Sequence, residues 1–331
     1  MALSGSFDYV RTSAQLTEAA LRKLQVLADG QSASTNQSTY AIEALNVMLK
    51  AWSARGNPVW NLRPAYIYPI HDTNTIQLGN AAGLGHWSEE LILTKLTASA
   101  AAAATSISVS ITAAEDVVGT TANSDFIGVE LDSGNIFWTT ISSGGASASI
   151  TLASGLTTAA SSGNRVYAYT SKAAKPEAIL QCWRVDAVTG SRLEVPVTSY
   201  ETVRGNVTLS NEGVPLHYNY QEAYLTATGS SYGIFRFWPR FQNGDTYLEI
   251  YMQSPFDDID SSSDNVAFPN VWYEAIIYNL ADRLAPEYGL PLDRHAVLKG
   301  EASAFYAIAE EATTESASIF FQPAVDFTRN Y

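Results

Sequence analysis

The sequence predicts an α+β protein: a helical core drawn from both ends of the chain, antiparallel β elements, and an inserted small all-β domain. Three patterns carry this. Apolar residues recur at helical spacing near both ends of the chain. In Thr246 to Gln253 they alternate at period two, with Leu248, Ile250 and Met252 on one face and Tyr247, Glu249 and Tyr251 on the other, as in a strand with one buried face. Residues 97–172 change character, being rich in Ala, Ser, Thr and Gly and almost free of Lys and Arg. The expected division is 1–96 as the first part of the core, 97–172 as the insert, 173–316 as the second part, and 317–331 as an extended arm.

In chain order, an extended lead-in gives way at Ser13 to a helix with the stripe Leu16, Ala20, Leu24 and Leu27, stopped by Asp29-Gly30. A second helix turns Ala41, Leu45, Met48, Leu49 and Trp52 inward and closes at Arg55-Gly56-Asn57-Pro58. The short polar loop between them favours an antiparallel pair. Ala65 to Ile70 reads as a strand, and Trp87 to Leu96 as the start of another helix. In the insert, strands are expected at Ser106 to Thr112, Phe126 to Leu131, Asn135 to Ile141, Ala148 to Leu152 and Arg165 to Thr170. Turn signals at Asp132-Ser133-Gly134-Asn135 and Ser143-Gly144-Gly145 give the spacing of a small sandwich or barrel.

Beyond Lys172, strands are expected at Ile179 to Val188, Arg192 to Pro196, Glu222 to Thr228 and Tyr232 to Trp238. The last of these leads through a turn at Gln242-Asn243-Gly244-Asp245 into Thr246 to Gln253, because Asn-Gly accepts positive φ cheaply. An acidic loop follows, then a helix opened by Pro269 and Asn270. It aligns Tyr273, Ile277, Leu280 and Leu284, and stops at Ala285-Pro286. A final helix from Leu292 to about Ser316 is expected to pack through Leu292, Ala296, Phe305, Ala309 and Ala312.

Composition narrows the function. Apolar residues are 46% and charged ones 16%, the balance of a folded chain. A net charge of -14 opposes binding DNA through its phosphates. The single Cys182 excludes an intramolecular disulfide and a cysteine-rich zinc site, and its setting reads as a buried strand thiol. No basic-then-apolar run opens the chain, so no secretory signal is expected, and no apolar run of ~18 residues suggests a membrane span.

Motifs for chemistry are sparse. Asp258, Asp260 and Asp264 alternate in the acidic loop and could present oxygens to calcium, but an EF-hand wants Gly where Ser263 stands and Glu where Pro269 stands. A loop that caps the following helix is the expectation there. His71, His86, His217 and His295 show no ligand spacing. Glu89 and Glu90 beside His86, and Asp293 beside His295, suggest surface hydrogen bonds. Ala82-Gly83-Leu84-Gly85 is a flexible turn, and no nucleophile elbow or phosphate loop occurs. Neither catalytic residues nor a cofactor is expected. A glycan-cleaving pair could be drawn from Glu89, Glu90, Glu274 or Glu287, yet among 33 acidic residues some pair always suggests itself.

Several of these stretches in their order resemble one family. An apolar strand runs into Trp238-Pro239, then come a turn, a strand, an Asp-rich loop, and a helix ending LADRLAPEYGLP. The opening AALRKLQVLADGQSAS…ALNVMLKAWSARGNPVW, then Lys175-Pro176, TSYETV and Gly213-Val214-Pro215, complete the set. Together they resemble the head-to-tail adaptors of short-tailed bacteriophages, also called tail accessory or head-completion proteins, over residues 10–80 and 173–310. The resemblance implies a structural, non-enzymatic virion protein, made in the host cytoplasm and placed at the head–tail junction. It would form a ring, twelve subunits in that family, beneath the portal protein and above a tail or nozzle protein. Packaged DNA would pass through without specific binding, and the acidity suits a channel that repels it.

The 18 Tyr and 7 Trp fit a chain with large interfaces. Candidate interface residues are Trp52, Trp60, Phe320, Phe321, Phe327 and Tyr331. Two other classes stay open: a peptidoglycan-degrading virion enzyme, and a carbohydrate-binding or adhesion module using Trp138, Phe137, Tyr167 or Tyr169.

Overall fold

The computed structural model describes residues 9–53, 61–81, 85–110, 125–144, 148–205, 208–222, 232–266 and 268–313. The chain is mixed α+β, with more residues in strands than in helices. It divides into two compact units, Met1–Trp60 with Phe256–Tyr331, and Asn61–Pro255. The helices expected at the two chain ends therefore share one unit. The strands of 61–96 and 173–255 belong with the insert, where the sequence had grouped them with the helices.

Among the described residues the helices are α1 (Ser13–Lys23), α2 (Thr35–Ser53), α3 (Tyr200–Arg204), α4 (Trp272–Leu284) and α5 (Leu292–Ala312). In the helical unit α4 packs against α1, α2 and α5. Its buried side chains are Trp272, Tyr273, Ala275, Ile276, Ile277, Leu280, Ala281 and Leu284, far more than one stripe, which is why it sits centrally. Ala41, Leu45, Met48, Leu49 and Trp52 of α2 face inward as expected.

Helix α1 stops earlier than Gly30. Gln25 takes φ 61, and the Val26 N–H donates to Leu21 O (3.1 Å) while Gln25 N–H donates to Arg22 O (3.0 Å). This is a Schellman closure made with Gln, so no glycine announces it. The packing stripe of α5 also differs in phase. Leu298, Ala302 and Ala309 are buried and Phe305 and Tyr306 half-buried, whereas Ala296 and Ala312 are exposed and Leu292 is 85% exposed. Leu292 opens the first turn.

The acidic loop caps the first helix rather than the one that follows it. Ser13 N–H donates to Asp264 O (2.9 Å), Ala14 N–H to Ser262 O (3.0 Å), and the Ser13 hydroxyl to Ser261 O (2.7 Å). Thr12 and Gln15 close a capping box at the same end. Those donors have no partner inside the helix, so the loop supplies them, while α4 starts without a side-chain cap.

The strands, in chain order, are β1 (Leu62–Ile67), β2 (Thr75–Leu78), β3 (Trp87–Ser88), β4 (Ile92–Lys95), β5 (Ser106–Ser108), β6 (Phe126–Glu130), β7 (Ile136–Ser143) and β8 (Ser149–Leu152). They continue as β9 (Arg165–Tyr169), β10 (Ala178–Asp186), β11 (Arg192–Glu194), β12 (Glu212–Gly213), β13 (His217–Glu222), β14 (Gly233–Trp238), β15 (Arg240–Phe241) and β16 (Thr246–Gln253). Trp87 to Leu96 is thus two short strands and no helix, because Trp87 pairs with Ile67 of β1 and Ile92–Lys95 with β9. A strand is found at His217–Glu222, and of the expected strand Glu222 to Thr228 the residues 223–228 lie outside the described residues.

One sheet runs β4-β9-β6-β7-β8-β5, and its ends meet. Leu96 bridges Val109, Thr97 N–H donates to Ser108 O (2.9 Å), and Ser110 N–H to Lys95 O (2.8 Å). The region 97–172, open as sandwich or barrel on sequence, is a closed six-stranded barrel with β4 as one stave. Ile107, Ile127, Val129, Ile141, Ile150, Leu152, Val166 and Ala168 fill it. Gly134, at φ 86, closes the expected turn between β6 and β7.

A second body stacks the sheet β11-β10-β16-β1-β3 on the sheet β13-β14-β2. Ile67, Ile76, Cys182, Phe235, Phe237, Leu248, Ile250 and Met252 form their shared core. Cys182 is buried as expected, and burial pushes its thiol pKa up. Strand β16 pairs with β1 on one side and β10 on the other. Its expected single buried face is corrected: Tyr247 and Glu249 on the opposite face are buried too. Nor are β14 and β16 a hairpin. They lie in different sheets, because Pro239 ends β14 and Arg240–Phe241 pairs with β12 instead. Gly244 adopts no positive φ. A Cβ there would meet Ile136 Cδ1 at 2.7 Å, so the glycine serves close approach.

Truncating the core reports on these assignments. Ile250→Ala, at a site with no exposure, is expected to cost about 2–5 kcal/mol of stability, measured by urea unfolding. A change below about 0.5 kcal/mol would contradict the two-sheet core.

Candidate functional site

Among the described residues the sequence-predicted site residues do not assemble. Trp52 packs on Trp272 (5.6 Å between centroids) and Tyr306 (5.0 Å) inside the helical core, so it offers no surface to a partner. Trp60, Phe320, Phe321, Phe327 and Tyr331 lie outside the described residues. The calcium candidates do not converge. Asp258 pairs with Lys50 (2.9 Å), and the Asp264 carboxylate accepts the N–H groups of Asp260 (3.0 Å) and Ser261 (2.7 Å). Glu89 pairs with Arg63, Glu90 accepts the Thr170 N–H, and Glu274 and Glu287 are exposed, so these four are spent separately. His295 meets Asp282 (2.8 Å), not Asp293.

Among the described residues one group with ligand-type atoms does converge: His71, Asp72 and Glu212. His71 Nε2 stands 3.8 Å from Asp72 and 3.9 Å from Glu212. Arg240 already bridges the same carboxylate oxygens at 3.3 and 2.9 Å. A guanidinium in that position supplies the positive charge a metal would bring. The cluster therefore reads as an ion-paired clasp on β12 and β15.

What the sequence missed is a buried aromatic seam within the β unit. The outer face of the barrel contributes Phe126, Trp138, Tyr167 and Tyr169, and the face of the five-stranded sheet opposite its core contributes Tyr66, Tyr68 and Tyr247. Tyr68 stacks on Tyr169 (5.0 Å, 7°), and His86 on Trp138 (4.0 Å, 9°). Polar tips are satisfied across it. Trp138 Nε1 donates to Pro69 O (3.1 Å), the Tyr167 hydroxyl to Gly244 O (2.5 Å), and Tyr68 to Glu90 O. Arg165 pairs with Asp245 beside it. The proposed glycan shelf of Trp138, Tyr167 and Tyr169 is thereby covered by the chain itself, with both tyrosines fully buried.

His86, expected at the surface with Glu89 and Glu90, sits in this seam and shares a 2.8 Å hydrogen bond with the Tyr169 hydroxyl. Burial, and then the Lys172 ammonium, bring its pKa down to about 3. Burial alone pushes Tyr169 upward. The Asp125 carboxyl beside Phe126 is buried without a hydrogen-bond partner, and its pKa is raised by that burial and by Glu90. Gly128 lies under the Trp138 indole, where a Cβ would come within 2.8 Å of two ring atoms. The only hint in the sequence was aromatic alternation on Arg165 to Thr170, which gives a face and not its cover.

No model of a known protein family and no curated protein matches the chain.

Exposed large apolar residues occur in both units. In the helical unit Tyr9 (54%), Val10 (53%), Tyr40 (63%), Val47 (51%), Val297 (64%) and Ile308 (57%) stand exposed, in place of the charged residues usual there. Among the described residues no helix is long and apolar enough to cross a membrane.

The seam makes a pH prediction. His86 stays neutral when folded down to about pH 3 but takes a proton near pH 6.5 when unfolded. The unfolded state therefore binds more protons between those values, and stability falls as pH drops through that window, by up to about 1.4 kcal/mol per unit. His86→Gln is expected to flatten the slope between pH 6.5 and 4 relative to wild type in urea titrations. An unchanged slope would remove His86 from the seam. Gly128→Ala is expected to displace the Trp138 indole and shift tryptophan fluorescence to longer wavelength.

Proposed function

We propose that this chain is a protomer of a head-to-tail adaptor ring in a short-tailed bacteriophage, docking on the portal protein, joining it to the tail and helping to retain packaged DNA. It is a structural role, without catalysis. The observation that carries the reading is where the family-like stretches fall. The opening helix pair and the helix ending LADRLAPEYGLP, both part of the resemblance, fold into one helical unit around α4, while its other motifs, Lys175-Pro176, Gly213-Val214-Pro215 and Trp238-Pro239, belong to the β unit Asn61–Pro255. The resemblance leaves the insert 97–172 as an addition to the family's frame.

Further support comes from surfaces. Exposed apolar side chains before α1 (Tyr9, Val10) and on α2 and α5 are what a ring subunit covers with its neighbours. Among the described residues the candidate carboxylates are paired separately or exposed singly, which counts against the hydrolase alternative, and the burial of Tyr167 and Tyr169 counts against a glycan shelf built on them.

The protein mixed with the portal protein of its own phage is expected to give a ring on the portal by electron microscopy. Deleting 320–331, with its Phe320, Phe321, Phe327 and Tyr331, is expected to abolish docking. Normal docking without that segment would reject it as the contact, and absence of any complex with the whole chain would reject the adaptor reading.

A further inference from the structure

Helix α5 presents an outward strip at alternating four- and three-residue spacing: Val297, Glu301, Ala304, Ile308 and Glu311. Its apolar members Val297 and Ile308 are 64% and 57% exposed, and both carboxylates face solvent. The last turn of α5 carries no basic residue. Glu311 therefore adds to the negative end of the helix dipole instead of opposing it, a cost that a cation from elsewhere would relieve.

The start of the same unit carries the opposite pattern. Tyr9, Val10, Arg11, Gln15 and Arg22 line a groove of about 480 Å³ along α1. Tyr9 and Val10 are more than half exposed, and no residue of α5 lines the groove. Arg11 is held over the Tyr9 ring (5.3 Å), with its Nε donating to the Tyr9 hydroxyl (2.7 Å). Arg22 pairs with the partly exposed Glu18 (3.1 Å), an exposed ion pair that holds it weakly. Lys23 adds a third cation at the groove's end.

The two patches are complementary in charge. At the helical rise Glu301 and Glu311 are ~15 Å apart along α5, and the groove offers Arg11 just before α1 and Arg22 in its last turn. Val297, Ala304 and Ile308 fall between and beside the carboxylates, as Tyr9 and Val10 fall beside the guanidinium of Arg11. In a chain of net charge -14, two copies repel unless their contact is built to oppose it.

We infer that the α5 strip of one copy docks in the α1 groove of a second copy of this chain, pairing Glu301 and Glu311 with Arg11 and Arg22. Each copy offers both patches, so one contact leaves one patch of each copy for the next neighbour, as a ring requires. The inference rests on the adaptor reading for its role, and names the surface that such a ring would use.

The test is charge reversal with cross-rescue. Arg11→Glu with Arg22→Glu makes one variant, and Glu301→Arg with Glu311→Arg the other. Each alone is expected to self-associate at least about tenfold more weakly than wild type in sedimentation equilibrium, with unchanged circular dichroism. Their equimolar mixture restores opposite charges across the contact and is expected to recover association. Added salt weakens the wild-type assembly.

Wild-type chain that stays monomeric throughout the concentration series, variants that associate like wild type, or a mixture without rescue would each overturn the inference. So would association lost on deleting 314–331 but kept in both variants, since the contact would then belong to that segment. Variants that still form rings on the portal would overturn it while leaving the adaptor reading intact. A wild type that self-associates with rescue, yet ignores the portal, would do the reverse.

Discussion

Strand β16 is the constraint on which the β unit depends. It is hydrogen-bonded on both edges and buried on both faces, a position that no other stretch of the chain occupies over eight described residues. One face, Leu248, Ile250 and Met252, closes the core between the two stacked sheets. The other delivers Tyr247 to the aromatic seam and holds Glu249 against Arg192 (2.9 Å). Burying a strand twice removes every exposed backbone group and nearly all side-chain surface, so little of its sequence is free to change.

The seam follows from that strand. A small barrel of Ala, Ser, Thr and Gly has a thin core, and its outer face would ordinarily be polar. Here that face is aromatic and packs on the back of the five-stranded sheet, with backbone acceptors for Tyr68, Trp138 and Tyr167 and the His86 ring for Tyr169. Aromatic contacts at 5–6 Å add modestly to the area they bury, and the hydrogen bonds prevent the penalty of leaving polar tips dry. The barrel is therefore a fused part of one unit, not an appended bead.

The helical unit solves a different problem. Its central helix α4 packs on α1, α2 and α5, whereas α5 carries, besides its packed face, the exposed apolar Val297 and Ile308, uncovered among the described residues. A helix of that kind is stable in isolation at a cost in exposed surface, which assembly would recover. Charge on the unit is sorted as well: cations gather along α1, and carboxylates in the last turn of α5. A chain this acidic needs such sorting before copies of it can approach one another.

Much of the secondary structure was legible in the residues themselves, because period and turn chemistry are local. The strand Thr246 to Gln253, the inward face of α2, the end of α4 at Ala285-Pro286 and the turn at Gly134 all follow from spacing and backbone preference. What needed the tertiary structure were partners. Alternation shows that β14 and β16 are strands but not that they join different sheets. A polar loop with three aspartates does not reveal which helix it caps, since Ser13 and Asp264 are brought together by folding and not by sequence distance. His86 looked like a surface residue beside two glutamates, and only the cover supplied by Trp138 and Tyr169 makes it a buried, neutral one. Burial is a property of what lies opposite, and one sequence read along its length carries no record of its opposite side.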